Sequence, residues 1–469
     1  MTPSQPHTRQ LRRSLGLWPA AAVVVGTVIG SGIFLVPTDM VKAVGTPANV
    51  FAVWIFGGIL SLFGALTYAE LSAAMPGAGG EYVYLNAAYG PFSGFIYGWT
   101  QTWVAKTASI ATLATGFYTY FADFVPGLNA VFFQLNLPIG PGGGPFQIRY
   151  GQLVGIAVIL ALSGVNYLGV RLGGNVQVAL TALKVALILA IIVVGVWSGQ
   201  GKSANFATSL PAATGGFAGF FAALVAALWA YDGWNNAGML GSEVERPERN
   251  LPRALIFGTS AVIVLYLLAN LSYFYVLSSA EVGSSARVAA DMMRKAMGPS
   301  GGAFVSVAAM ISIVAAINGS ILSGSRVPYA MAHGGYFFRR IGGLSPQETP
   351  GPSIVLLGIW SCVLLLSGQY KELYTLVIFP SWILYGMAAA SVLVLRRTRP
   401  GMPRPYRVWG YPAVPFIFVL VTLVLLYATL VESPRESGLG LVIIALGWPF
   451  YRHWSRTKGN SMAKKESNI

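Results

Sequence analysis

Stretches of about twenty apolar residues recur from one end of this chain to the other, and each is long enough to cross a hydrocarbon layer of roughly 30 Å as a helix. Twelve can be marked out, at residues 17–38, 50–74, 89–123, 150–168, 174–198, 216–242, 254–278, 302–331, 352–368, 372–395, 411–431 and 438–454. In hydrocarbon a spanning segment has to satisfy its own backbone N–H and C=O groups, which leaves helices or a closed barrel. The short alternating pattern of barrel strands is missing here. Only 10% of the 469 residues are charged, against roughly 25% in a soluble domain. A chain so poor in charge cannot cover a globule with polar groups. The reading is an all-α integral membrane protein of one domain. It has a tail at 1–16, a twelve-helix body at 17–454 and a second tail at 455–469, of which Asn460–Ile469 is polar enough to lack regular structure.

The net charge of +15 raises the question of nucleic acid, but the basic residues cluster in alternate loops, as membrane topology requires. With both termini on the cytoplasmic side, 20 Lys and Arg fall in inner segments and 8 in outer ones. This asymmetry orients the chain in a cell membrane, in contact with lipid and with no nucleic-acid partner. Arg12 and Arg13 precede an apolar stretch as in a signal peptide, but the stretch is too long and has no small-residue cleavage site. The single cysteine, Cys362, lies within an apolar run. Residues 137–145 form a Gly/Pro-rich linker without a pattern for regular structure.

Two spans contain what a lipid-facing helix would not. The first carries Gly26-Thr-Val-Ile-Gly-Ser-Gly-Ile-Phe34, three glycines and two hydroxyls near the midplane. Glycine weakens a helix, and a local unwinding here would point backbone N–H groups at a carboxylate. Free carbonyls of the first half-helix would accept from an ammonium, and Gly32 would let a ligand approach closely. A small-residue packing face is the plainer alternative. The sixth span carries Trp229, Asp232-Gly233 and Asn235 in an apolar setting. A charge there costs roughly 2.5–3.5 kcal/mol on insertion scales, so Asp232 should face the interior, for a ligand or for a structural pairing. Breaks in spans one and six, five apart, point to a transporter of inverted repeats.

Lys184 lies several turns inside the fifth span, as a brace for the broken first helix, a proton carrier or a snorkelling side chain. Lys106 and Glu70 fit structural pairing or snorkelling better than a substrate role. In the eighth span Ser320 and Ser323 share a face that suits either a polar pathway or helix packing. The strip Ser242–Pro252 reads as a solvated loop, with an inner gate as the alternative. No Walker A, HExxH or CxxC pattern occurs and the three histidines are scattered, so no enzyme and no cofactor is expected. A channel would need a continuous polar lining, which is not visible.

Gly26–Phe34, Tyr68-Ala-Glu-Leu71 with Gly79-Gly-Glu-Tyr82, Ala230–Asn235, Pro247–Leu255, Ser325-Arg-Val-Pro-Tyr-Ala330 and Arg404–Pro412 together resemble the amino acid–polyamine–organocation superfamily. The likeness is strongest to its L-type amino acid transporter branch, including bacterial serine/threonine exchangers. The resemblance implies a LeuT-type fold of two inverted five-helix repeats, about 17–198 and 216–395, with two extra helices at about 411–454. It implies sodium-independent exchange of amino acids, neutral ones above all, with proton symport as the alternative. The substrate carboxylate would meet Ser31, Gly32 and Ile33 with Thr27, and its amine would meet Val28, Trp229 and Asp232. Trp229 would stand at the aromatic gate, and Asn235 would contact the ligand or steady the break. Lys184 would replace a bound sodium near Gly26 and the eighth helix at Ser320. Animal members bond a partner subunit through a cysteine between spans three and four. This chain has none there, so no disulfide-linked partner is expected.

Overall fold

The structure, a computed structural model, describes residues 11–136, 145–367, 370–432 and 434–466. Their helices follow the apolar runs. The first passage comprises Leu17–Val28, Gly32–Leu35 and Pro37–Val44, and the second is Pro47–Ala74. The third is Pro91–Thr100 and Lys106–Phe121 joined by a π-helical turn at Gln101–Ala105. Tyr150–Tyr167 and Val170–Trp197 are the fourth and fifth, Gly216–Tyr231 with Asn236–Met239 the sixth, and Pro247–Val276 the seventh. Pro299–Gly324, prolonged by Arg326–His333, is the eighth, and Gly351–Ser367, Tyr370–Thr398, Ala413–Glu432 and Pro434–Glu466 complete the twelve. Eight of the described passages are both long and apolar enough to cross a membrane by themselves.

Start signals are local. Thr46 caps the second passage by accepting from the Asn49 N–H (3.3 Å), and Pro47 takes the first helical position. There its missing N–H costs nothing. Outward-facing apolar side chains such as Leu183 and Leu189 on the fifth passage, and Leu423 and Tyr427 on the eleventh, are exposed. Such a surface is stable against lipid rather than water.

The packing has an internal symmetry. The third passage packs on the eighth, ninth and tenth, while the eighth packs on the third, fourth and fifth. Shifting each ordinal by five converts one set into the other, and the second–seventh contact maps onto itself. The eleventh and twelfth lie against the tenth.

One expectation needs an addition and one a correction. Between the third and fourth passages Val131–Leu135 and Phe146–Arg149 pair as antiparallel strands, a local exception that leaves the all-α class in place. Aromatic and β-branched residues at both strands favour the pairing. Of the linker at 137–145, all but Pro145 lies outside the described residues. The C-terminal tail does not lose structure at Asn460, because the last helix runs on through Glu466. Met462, Ala463, Lys464, Lys465 and Glu466 are good helix formers and extend a helix already nucleated.

Candidate functional site

The first helix stops at Val28. Ile29 leaves the helical region (φ −75°, ψ 89°), and the helical path resumes at Gly32. The sixth stops at Tyr231, where Asp232 is extended (ψ 145°). Gly233 follows at φ 106°, a conformation strained for any residue with a Cβ. The two breaks face each other. Thr27 Oγ1 lies 3.0 Å from the Gly233 carbonyl, and Tyr266 Oη lies 2.9 Å from both the Val28 and the Ala230 carbonyl. A Cβ on Gly32 would come within 2.7 Å of Ala230 Cα. Gly32 therefore also serves the close approach of the sixth helix to the first, a role the sequence reading did not give it.

Between the breaks lies a small cavity lined by Thr27, Val28, Gly30, Ser31, Gly32, Trp229 and Asp232, with Ser109 and Leu113 from the third helix. Its volume is about 20 Å³, little more than the space one water needs. An amino acid can enter only if the walls move. Six of the eight residues expected to bind substrate thus share one cavity. Ile33 and Asn235 do not line it. Ile33, the second residue of the half-helix that starts at Gly32, is fully buried. Asn235 turns away, and its Nδ2 donates to the Glu81 carboxylate. Of its two expected roles, steadying the break is the one this contact fits. The Asp232 carboxylate accepts from Tyr385 Oη of the tenth helix at 2.9 Å.

Lys184 is fully buried and its ammonium donates to the carbonyls of Gly26 (2.8 Å), Ser312 (2.8 Å) and Ile29. Three donors meet three acceptors, two of them carbonyls at the break in the first helix and one from the eighth helix. Snorkelling is excluded by this geometry. The serine beside it is Ser312, whose Oγ donates to Ile29 O at 3.0 Å, and not Ser320. Eight residues along a helix amount to about 12 Å of rise, which puts Ser320 more than two turns away. A further polar brace had no distinctive sequence signal. Gln177 and Thr181 donate to the Ala22 carbonyl (3.2 and 3.1 Å), Asn318 donates to Gln177 (2.9 Å), and Asn166 to Asn318 (2.8 Å).

Lys106, Glu70, Glu243 and Glu81 all have polar partners. Lys106 Nζ donates to Asn236 Oδ1 at 2.7 Å. Glu70 accepts from Arg396 (3.0 and 2.6 Å) and from the Val408 N–H at 2.7 Å. The strip expected to be a solvated loop is not one at Glu243. This residue and Arg326 are both fully buried and form a two-bond pair (2.6 and 2.8 Å). The Glu243 carbonyl also accepts from the Ser14 and Leu15 N–H groups (2.9 and 3.0 Å), pinning the N-terminal tail beneath the sixth helix. Glu81, on the short helix Glu81–Tyr89 between spans two and three, accepts from Tyr97 Oη at 2.9 Å as well as from Asn235. Burial pushes its carboxyl up to about 7, against the hydrogen bonds from Asn235 and Tyr97 and the charge of Lys106.

A family model described as amino acid permease matches residues 15–448. The chain belongs to the amino acid permease family. The permease is 32% identical to the human b(0,+)-type amino acid transporter 1 over 451 residues, covering 95% of this chain and 89% of that one. It is 32% identical to the serine/threonine exchanger SteT of Bacillus subtilis (strain 168), covering 97% and 100%. The human cystine/glutamate transporter is 29% identical over 94% of this chain and 85% of its own. A multi-span membrane transporter is thus the common ground between the family and the apolar helices of this permease.

Proposed function

We propose that this permease exchanges neutral amino acids across the cell membrane by alternating access, without sodium, with both termini in the cytoplasm. The observation that carries the reading is the facing pair of helix breaks around one cavity. The second half of the first helix begins at Gly32 with N–H groups that suit a carboxylate, and the carbonyl ends at Val28 and Tyr231 suit an ammonium. Trp229 closes the pocket from the sixth helix, and Leu113 and Ser109 meet the substrate side chain. Sodium independence follows from Lys184. Its ammonium takes the carbonyls of Gly26, Ile29 and Ser312, and a second cation among them would meet like charge at contact distance.

The symmetric packing supports two units, about 17–198 and 216–395, that rock against each other, with 411–454 as an added pair. Substrate bridging both breaks would bind one arrangement better than the other, which is the condition for shifting the equilibrium. The single cysteine of the sequence, Cys362, lies in the ninth helix, in keeping with a transporter that has no disulfide-linked partner. A proton-coupled version of the cycle is favoured by Glu81, a buried carboxyl joined to the second break through Asn235.

The test is counterflow in proteoliposomes with a panel of labelled amino acids, with and without sodium and a pH gradient. Uptake of neutral amino acids that depends on internal amino acid, and not on sodium, is the expected result. Uptake that needs sodium, or currents without countersubstrate, would overturn the reading.

A further inference from the structure

A large concavity shares no lining residue with the cavity between the helix breaks and is ringed by basic side chains. It has a volume of about 740 Å³ and opens between the extension of the eighth helix, the turn Arg339–Gly342 and the twelfth helix. Four of its lining side chains are basic or can become so: His333, Arg339, His453 and Lys458. Neither segment that builds it contains an acidic residue, from 326 to 347 or from 437 to 465. Arg326, at the start of the first, is neutralised by Glu243. Among the described residues no carboxylate forms an ion pair with Arg339, His453 or Lys458. Lys458 rests instead on the Gly334 carbonyl (3.0 Å) and over the Tyr336 ring (4.6 Å). Uncompensated positive charge around one concavity attracts and holds an anion.

The walls indicate which kind of anion. Trp454 and Phe337 form the buried floor, while Phe338 at the mouth is 56% exposed. One to two turns toward the bilayer on the twelfth helix, Phe450 and Trp448 are also exposed, at 44% each. An aromatic row at this level fits the boundary between headgroups and acyl chains. A small soluble phosphate would use the cations and leave the aromatic row idle, whereas a phospholipid would use both. We infer that this cavity binds the phosphate headgroup of an anionic phospholipid of the adjoining leaflet, its acyl chains lying along Trp448 and Phe450. Basic pockets between helices on the cytoplasmic side suit such headgroups. The inference goes beyond amino acid exchange and rests on the proposed placement of this end of the chain on the cytoplasmic side of a membrane.

The test is native mass spectrometry of the full-length protein, delipidated in detergent and titrated with cardiolipin, phosphatidylglycerol or phosphatidylcholine. Glycerol 3-phosphate and inorganic phosphate serve as soluble competitors. Anionic lipid adducts should exceed phosphatidylcholine adducts by about tenfold, and equal concentrations of the soluble competitors should not displace them. The triple variant Arg339→Gln, His453→Gln, Lys458→Gln should lose these adducts while its counterflow in phosphatidylcholine vesicles stays at the parent level. Arg339→Glu alone, at an exposed position, should weaken them in the same direction and guards against misfolding of the triple variant. Equal adducts in parent and variants, no preference for anionic lipid, or displacement by glycerol 3-phosphate would each overturn the inference. Because counterflow is measured in neutral lipid, loss of exchange there would count against the transport reading and not against this site.

Discussion

The Lys184 ammonium lies 2.8 Å from the Gly26 carbonyl, across the gap between the fifth helix and the broken first one. The unwinding that opens the first helix would leave carbonyls unsatisfied in a medium without water, and each such group costs about 1–3 kcal/mol. Lys184 meets two of them, at Gly26 and Ile29, with one charge, and takes a third acceptor from the eighth helix at Ser312. Break and brace are therefore parts of one arrangement.

Lys184→Met keeps most of the length of the side chain and removes the charge. Amino acid exchange should fall at least about tenfold, because the first half-helix is no longer held at the geometry that grips substrate. The protein should still purify as a folded monodisperse species. Counterflow and a detergent melting curve on one preparation check both halves, and unchanged exchange would remove Lys184 from the mechanism.

Gly32→Ala puts a methyl group 2.7 Å from the Ala230 backbone. Overpacking of this kind costs typically about 1–3 kcal/mol, and here it pushes the two breaks apart. Exchange should drop by about tenfold or more with only a modest loss of melting temperature. An active Gly32→Ala protein would mean that the close contact of first and sixth helices is not needed in the cycle.

Glu243 and Arg326 are a buried pair, and removing one partner strands the other charge. Arg326→Met should therefore destabilise by roughly 3–5 kcal/mol, while Arg326→Met with Glu243→Leu should recover much of that loss. Melting temperatures of the single and double variants give the comparison. Equal loss in both would show that the pair matters for shape and not for charge.

Glu81 predicts a pH dependence with a definite sign. Its folded-state pKa is raised from 4.5 to about 7, so the native state holds the proton more tightly than the unfolded chain. The stability this confers is fully present below about pH 4.5 and is lost as pH rises through about 7. Melting temperature should fall between about pH 5 and about pH 8, and Glu81→Gln should flatten that step. An identical fall in Glu81→Gln would assign the titration to another group.

Much of the site could be read from sequence because its causes are local. Gly26, Gly30 and Gly32 weaken one short stretch, Asp232-Gly233 weakens another, and a lysine at the centre of an apolar run has to find acceptors. What escaped depends on contacts between distant segments. Ser109 and Leu113 differ in no way from ordinary packing residues until the third helix is set against the first. Asn235 and Glu81 are 154 positions apart, and Glu243 and Arg326 are 83 apart. Nothing in either local sequence marks them as partners. Ser312 and Ser320 lie on the same helix with similar chemistry, and only the depth of Lys184 in the fifth helix chooses between them. The continuous helix past Asn460 was hidden because polarity alone does not end a helix that is already growing.

Tyr266 has one hydroxyl proton and two carbonyls, Val28 and Ala230, within reach. A single proton can serve only one of them at full strength. As the half-helices shift, the bond can be handed from one chain end to the other without either being left wholly bare. The seventh helix thereby holds both hinges on one pivot, and neither can swing far without the other feeling the loss.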